Sequence, residues 1–387
     1  MKLFDVYPLF GIDIQRSEGC FVFDQQGRRF LDFYGGHAVI SIGHSHPHFL
    51  KRIKDQVDKV AFYSNFVENA LREQLAQKLG KLSGYADYQL FMVNSGAEAI
   101  ENALKLASFQ NGRTKVIAFE NSFHGRTSAA VNITDDTRIS AAINQGFETI
   151  FLPLDDSQAA EAALSVGDVC AVIIEGIQGI GGIHTPSPAF LQDLATLCRK
   201  HETVFILDEI QSGYGRTGKF FAHQHAGIKP DLITIAKGMG NGFPIGGVVI
   251  HPRFKARHGL LGTTFGGTHM ACAAGLAVLE VIENENLVEN AAQQGERLKT
   301  ALRQFDGVAE VRGEGLMIGL EFDFPAAPLR KKLLEEFGVF TGSSSNKNVM
   351  RLLPPLCVGE SEVSLFLEAF ETCLEAHAHQ QEAFEAA

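Results

Sequence analysis

The stretch ILDEIQSGYGRTG, residues 206–218, ends in a literal GxGxxG made by Gly213, Gly215 and Gly218. Such a triplet marks a dinucleotide site only where it follows a strand at once and opens a helix, so that free N–H groups meet a pyrophosphate. Here the strand is VFILD (204–208), and EIQS intervenes before the first glycine. The following KFFAHQHAGIKPD (219–231) has no clean helical start and contains Pro230. Nor does an acid end the next apolar run, DLITIA (231–236), where a ribose would need one; that run is followed by Lys237. An acid at the end of one strand and a lysine at the end of the next point to another cofactor.

Outward from this stretch, apolar runs recur through the middle of the chain: YQLFMV (88–93), KVIAF (115–119), TIFLP (149–153), VCAVIIE (169–175), VFILD, DLITIA and GGVVI (246–250). Helical patterns lie between several of them, notably at residues 95–109 and 187–201. Strands apolar throughout and separated by helices predict an α/β fold with a mostly parallel, seven-stranded sheet covered on both faces. Before it, CFVFDQQGRRFLDF (20–33) reads as a hairpin turning at Gln26 and Gly27, followed by helices at 47–60 and 69–81. After it come two helices within 269–305, two strands in VAEVRGEGLMIGLEF (308–322), a helix at 327–337, a strand at 350–353 and a helix from 360. The tail HAHQQEAFEAA (377–387) is expected to fray. The division expected is a large domain at 61–285 and a smaller α+β domain built from both chain ends, 1–60 and 286–387.

The 387 residues are 45% hydrophobic and 20% charged, an ordinary globular composition. A net charge of −11 argues against nucleic acid or an anionic membrane as partner. No run approaches the roughly 20 apolar residues of a membrane span, and MKLFDVYPLFGIDIQ (1–15) lacks the marks of a signal or transit peptide. The six cysteines are scattered without a CxxC pair, which fits reduced thiols in the cytoplasm. GHSHPH (43–48) lacks the cysteines or second histidine pair of a metal site, so no metal is expected.

In an open parallel sheet, ligands bind outside the carboxyl ends of the strands, where Asp208 and Lys237 both lie. Alone, such an Asp is equally a turn or cap, and such a Lys equally a solvated charge. Together they match pyridoxal phosphate, which needs a lysine for a Schiff base and an acid to keep its pyridine nitrogen protonated. Gly238 would leave room for the cofactor beside Lys237. A phosphate site follows at NSGAEAIENALKLA (94–107), where Ser95, Gly96 and Ala97 open an amphipathic helix directly after YQLFMV. The first N–H groups of a helix have no intrahelical partner and face any anion there, although SGAE alone is equally an ordinary N-cap.

These residues sit within a longer series: GRRFLDFYGGHAVISIGHSHP (27–47), NSGAEAIENALKLA, FHGRT (123–127), EGIQGIGG (175–182), LDEIQSGYGRTGKFFA (207–222), PDLITIAKGMGNGFPIGG (230–247) and TTFGGTH (263–269). In this order they resemble the class III, fold-type I pyridoxal-phosphate aminotransferases over nearly the whole chain. The resemblance implies that Lys237 joins the cofactor covalently, Asp208 pairs with its ring nitrogen, Gln211 bonds its ring hydroxyl and Phe123 stacks on its face. Gly96 and Ala97 would hold its phosphate, with Thr264 reaching over from a partner subunit in a homodimer with shared active sites. Arg126 in FHGRT, Thr263 and Arg351 in MRLLPPL (350–356) would bind substrate, Arg351 taking the α-carboxylate of glutamate.

Within the family, the likeness is to enzymes moving the terminal amine of an N2-acylornithine, acetyl or succinyl, to 2-oxoglutarate in arginine biosynthesis. Ornithine, 4-aminobutyrate and another ω-amine are alternative donors, and an intramolecular aminomutase is an alternative activity. A silent scaffold on the same fold would have no use for Lys237, Asp208, Gln211 and both arginines. The chain departs from the family at two places. The family's EPxQGEGG reads EGIQGIGG, with Gly176 for Pro and Ile180 for the second Glu, and its HGSTFGGN reads LGTTFGGT, with Leu261 and Thr268 altered. The missing Glu is the one that pairs with the Arg351 equivalent while an ω-amine is bound.

Overall fold

A strand that is apolar along most of its length has little face to offer to water. Seven such strands form the central sheet of the computed structural model, which describes residues 1–385 and side chains as far as residue 379. In spatial order they are Gln89–Val93, Gly246–Ile250, Leu232–Ile235, Val204–Asp208, Val169–Glu175, Lys115–Phe119 and Thr149–Leu152. The last five pair in parallel. Gly246–Ile250 runs antiparallel to both of its neighbours, so it alone reverses the sheet.

Alternation within the strands supplies two cores. Val116 and Ala118, with Ile173 and Ile206, pack beneath the helix Gly96–Asn111 through its Ala99, Ile100 and Ala103. Ile117 and Phe119, with Val172, Ile174, Phe205 and Leu207, face the other way and meet Phe190, Leu191 and Leu194 of the helix Pro188–Lys200. Each Val, Ile, Leu or Phe so buried contributes about 1.5–3 kcal/mol over leaving it in water.

Two smaller sheets flank this one. Ile14–Glu18, Phe21–Asp24 and Arg29–Asp32 form an antiparallel meander, and Val339–Phe340 from the far end of the chain adds to it in parallel. The other contains Glu310–Glu314, Met317–Glu321, Val349–Leu352 and Gly342–Ser343. The helix His269–Asn284, buried along most of its length, packs against Pro47–Val57 and Ala70–Ser83.

Two readings of the sequence need correction. The helix expected over 47–60 stops at Val57, and Asn69 caps rather than joins the helix Ala70–Ser83, its side chain accepting from the Leu71 N–H. The last helix runs from Glu360 to Glu385, through most of the tail, and residues 386–387 lie outside the described residues. Among the described residues, no helix is long and apolar enough to cross a membrane.

Candidate active site

The sheet's topology brings one set of chain ends to a single edge. Asp208 is in register with Glu175 on one side and Thr234 on the other, and Gly246 opposite Val93 lies along the same edge. A cleft of about 300 Å³ opens there, lined among others by Ser95, Gly96, Ala97, Phe123, His124, Glu175, Ile180, Asp208, Gln211 and Lys237. Of the residues expected to bind the cofactor, only Thr264 is missing from this lining.

Asp208 is 4% exposed, and three donors orient its carboxylate. Oδ2 is 2.7 Å from His124 Nδ1, while Oδ1 accepts from the Ile210 N–H at 3.1 Å and the Thr234 hydroxyl at 3.3 Å. Lys237 follows the strand Leu232–Ile235 at a positive φ of 45°, partly open to the cleft. Burial pushes its amine down to about 8; Arg351 acts in the same direction, and Asp208 and Glu175 oppose. Gly238 does not leave room in the cleft as expected. A side chain there would point at Ser41 and Tyr214, and the Gly238 carbonyl accepts from the Ser41 hydroxyl at 2.7 Å.

The helix Gly96–Asn111 begins at the cleft. Ser95 caps it, accepting from the Glu98 N–H at 3.2 Å, and the Glu98 carboxylate accepts from the Asn94 N–H at 2.6 Å. Gly96 and Ala97 are the first two helical residues, so their N–H groups have no acceptor within the helix and border the cleft. An amine of lowered basicity, an oriented carboxylate and an anion-binding helix terminus around one cavity are what pyridoxal phosphate requires, and these residues fit it.

Gln211 is 7% exposed and bridges outward: its Nε2 donates to the His37 carbonyl at 3.1 Å, and its Oε1 accepts from Arg351 Nη1 at 3.3 Å. Arg351 is 1% exposed and also donates to the Ser343 carbonyl. It has no carboxylate in an ion pair among the described residues, and burial lowers it to about 10. Ile180 lines the cleft instead of an acid, and its carbonyl accepts from the Ser345 N–H at 2.9 Å and the Ser344 hydroxyl at 3.1 Å.

The remaining expected residues lie elsewhere within the chain. Arg126 is exposed, three residues beyond Phe123, and is not part of the cleft lining. Thr263 and Thr264 line a separate depression of about 710 Å³ with Phe62, Phe66 and Arg72. Thr263 keeps one link to the cleft, accepting from Asn94 Nδ2 at 3.4 Å, whereas Thr264 is exposed. The histidines of GHSHPH separate, with His44, His46 and His48 facing Asp32, Glu285 and Glu280 in turn.

The sequence reading passed over His124 and Glu175. Glu175 carried the same signal as Asp208, an acid ending an apolar strand, and His124 stands beside Phe123 in FHGRT.

Comparison with known proteins gives the family. The model of the family Aminotransferase class-III matches residues 5–374. The acetylornithine aminotransferase of Bacillus subtilis (strain 168) is 41% identical over 386 residues, covering 98% of each chain. That of Caldanaerobacter subterraneus subsp. tengcongensis is 38% identical, covering 96% of this chain and 97% of its own. Among solved structures, the ornithine aminotransferase from Toxoplasma gondii ME49 superposes with a TM-score of 0.89 at 28% identity, over 97% of this chain and 92% of the other. The acetylornithine aminotransferase from Elizabethkingia anophelis gives 0.81 at 29%, over 95% and 94%. A lysine and an aspartate at adjacent strand ends, a helix terminus for phosphate and a match along almost the whole length have one common explanation: this chain belongs to the class III aminotransferases, fold-type I enzymes that depend on pyridoxal phosphate.

Proposed function

We propose that this enzyme moves the terminal amine of an N2-acylornithine, N2-acetylornithine first, to 2-oxoglutarate, giving N-acylglutamate 5-semialdehyde and glutamate. The observation that carries the reading is the cleft in which Lys237 meets Asp208, in a chain 41% identical to an acetylornithine aminotransferase over nearly all its length. The acyl group has a chemical purpose, because a free α-amine would attack the aldehyde and cyclise. In the cell the reaction would run toward acylornithine, in arginine biosynthesis.

When bound, the cofactor supplies a protonated ring that withdraws electrons from the substrate carbon as its proton leaves. The residues do the rest. Asp208, oriented by His124, Thr234 and Ile210, holds the ring nitrogen's proton. Gly96 and Ala97 would donate their N–H groups to the phosphate, Gln211 would bond the ring hydroxyl, and Phe123 would lie on the ring face. Lys237 would hold the cofactor between turnovers and, once displaced by the amine donor, would take the proton from the substrate carbon as general base. Its lowered basicity suits that task near neutral pH. Arg351 and Arg126 take substrate carboxylates, and Thr263 adds a hydrogen bond.

The enzyme works as a cytoplasmic homodimer in this reading. Phe62, Phe66 and Phe265 are 44%, 100% and 57% exposed around Thr264, an apolar surface suited to a second copy that would carry Thr264 to the partner's phosphate site. Six free thiols suit a reducing compartment. The large domain spans 61–285, and 1–60 with 286–387 form the smaller one, which the strand pairing of Val339–Phe340 with Arg29–Asp32 supports.

Ornithine is the second reading, favoured by the likeness to the Toxoplasma gondii structure. A panel of acetylornithine, succinylornithine, ornithine and 4-aminobutyrate with 2-oxoglutarate decides between them. The proposal expects the highest kcat/KM for an acylated donor, and a preference for free ornithine would overturn it.

A further inference from the structure

Glu175 ends the strand Val169–Glu175 at the edge of the cleft, 6% exposed. Its two oxygens reach two different loops: Oε1 accepts from the Phe123 N–H at 3.0 Å, and Oε2 accepts from the Gly179 N–H at 2.8 Å. One loop presents Phe123 to the cleft and the other carries Ile180. The Gly179 turn lies so close to Gln211 that an added Cβ would sit 2.0 Å from Gln211 Oε1, and Gln211 in turn receives Arg351. A carboxylate is the only ordinary side chain that can accept on both sides at this span. The amide of Gln accepts with one atom and donates with the other.

We propose that Glu175 is a positioning residue, whose carboxylate ties the Phe123 loop to the Gly179 turn and thereby sets the face on which the cofactor ring rests. This builds on the reading of Phe123 as the residue against that ring. Burial pushes the Glu175 carboxyl up to about 7, and Asp208 adds to this, whereas His124 and the two N–H groups favour the anion. A second tie between the loops, Gln178 Nε2 donating to the Glu120 carbonyl at 2.7 Å, is independent of Glu175. Loss of the carboxylate therefore displaces Phe123 locally and leaves the fold in place.

The test compares wild-type holoenzyme with Glu175→Gln, Glu175→Asp and Phe123→Ala, by visible circular dichroism per bound pyridoxal phosphate and by the rate of cofactor release on dilution. Thermal midpoints of the cofactor-free proteins report folding. Glu175→Gln should lose most of the dichroism and release cofactor about tenfold faster, as expected for one charge-assisted hydrogen bond, without a lower midpoint. Glu175→Asp, one methylene shorter but still an acceptor on both oxygens, should fall between. Wild-type dichroism and release in Glu175→Gln would overturn the proposal, as would losses that merely follow a lowered midpoint in both variants. Phe123→Ala separates the underlying reading: undiminished dichroism there removes Phe123 from the ring face, and the proposal with it, while cofactor binding itself stands.

Discussion

Asp208 and Gln211 are buried, and each is oriented by groups of its own chain, whereas Arg126 and Thr264 stand exposed outside the cleft. Of the residues we assign to the cofactor, Asp208 and Lys237 stand at or just past strand ends and Gly96 and Ala97 at a helix start, whereas Phe123 and Thr264 come from loops. Of those we assign to substrate, Arg126 and Thr263 come from loops, and Thr263 borders an apolar depression where we place a second subunit. Arg351 belongs to neither pattern, a buried cation held by the neutral acceptors Ser343 and Gln211. In our reading, the cofactor's chemistry thus rests mainly on residues held by the rigid sheet, and the choice of substrate more on loops.

The largest effect tests the rigid end. Lys237→Ala should abolish turnover, by at least the roughly 10²–10⁴-fold that positioned acid–base catalysis supplies, in a folded protein that still holds the cofactor without a covalent link. Single-turnover kinetics without added amine check this, and substantial transfer would remove Lys237 from the mechanism. The same side chain makes a pH prediction for the cofactor-free protein. Its amine lies at about 8 in the fold and at 10.5 when unperturbed, so between those values the unfolded chain binds more protons. Stability against denaturant should therefore rise from Lys237's contribution as pH climbs through that window, and the rise should be missing in Lys237→Met.

Asp208→Asn is the next in size. A neutral amide cannot balance a pyridinium, and its NH2 must also oppose one of the three donors now converging on the carboxylate. The loss of a charge-assisted bond, roughly 1.5–3 kcal/mol, corresponds to about tenfold to a hundredfold in rate if felt at the transition state. Unchanged single-turnover rates would show that the cofactor's nitrogen is balanced by some other group.

The same contrast between strand ends and loops governs what could be read in the sequence. VCAVIIE and VFILD show their bounds because every residue is buried on one face or the other, so composition changes abruptly where the strand ends. Gly246–Ile250 is equally apolar, and its reversed direction leaves no local trace, because direction is set by the connections around it. Val339–Phe340 and Gly342–Ser343 are too short for any periodicity and are strands only by virtue of their partners. At the site, Lys237 and Asp208 were legible because a charge after an apolar run is conspicuous. Glu175 was equally conspicuous but lacked a partner in sequence; only the register that sets it beside Asp208 supplies one. The Gln211–Arg351 contact joins residues 140 positions apart, and no spacing rule reaches so far.

The smallest effect probes the substrate end, at Ile180. Where the family carries an acid, this cleft has an aliphatic side chain, and the loop beneath it is fixed through Ser344 and Ser345 to the Ile180 carbonyl rather than through any charge. Arg351 is thus left without an acidic partner among the described residues, and in the proposed reading it stays available to the α-carboxylate of glutamate or 2-oxoglutarate throughout the cycle. An ω-amine donor meets that uncancelled cation where its own chain has only hydrogen. Ile180→Glu should weaken the glutamate half-reaction relative to that of the acylornithine, because Arg351 must first be drawn from its new partner. The expected size is that of a partly buried ion pair, on the order of 1 kcal/mol or somewhat more, about fivefold to tenfold in the ratio. Half-reaction rates for both donors, wild type against variant, measure it directly. If the ratio does not move, Ser343 and Gln211 already satisfy Arg351 as fully as a carboxylate would, and the difference between the two ends of the cleft is one of geometry and not of charge.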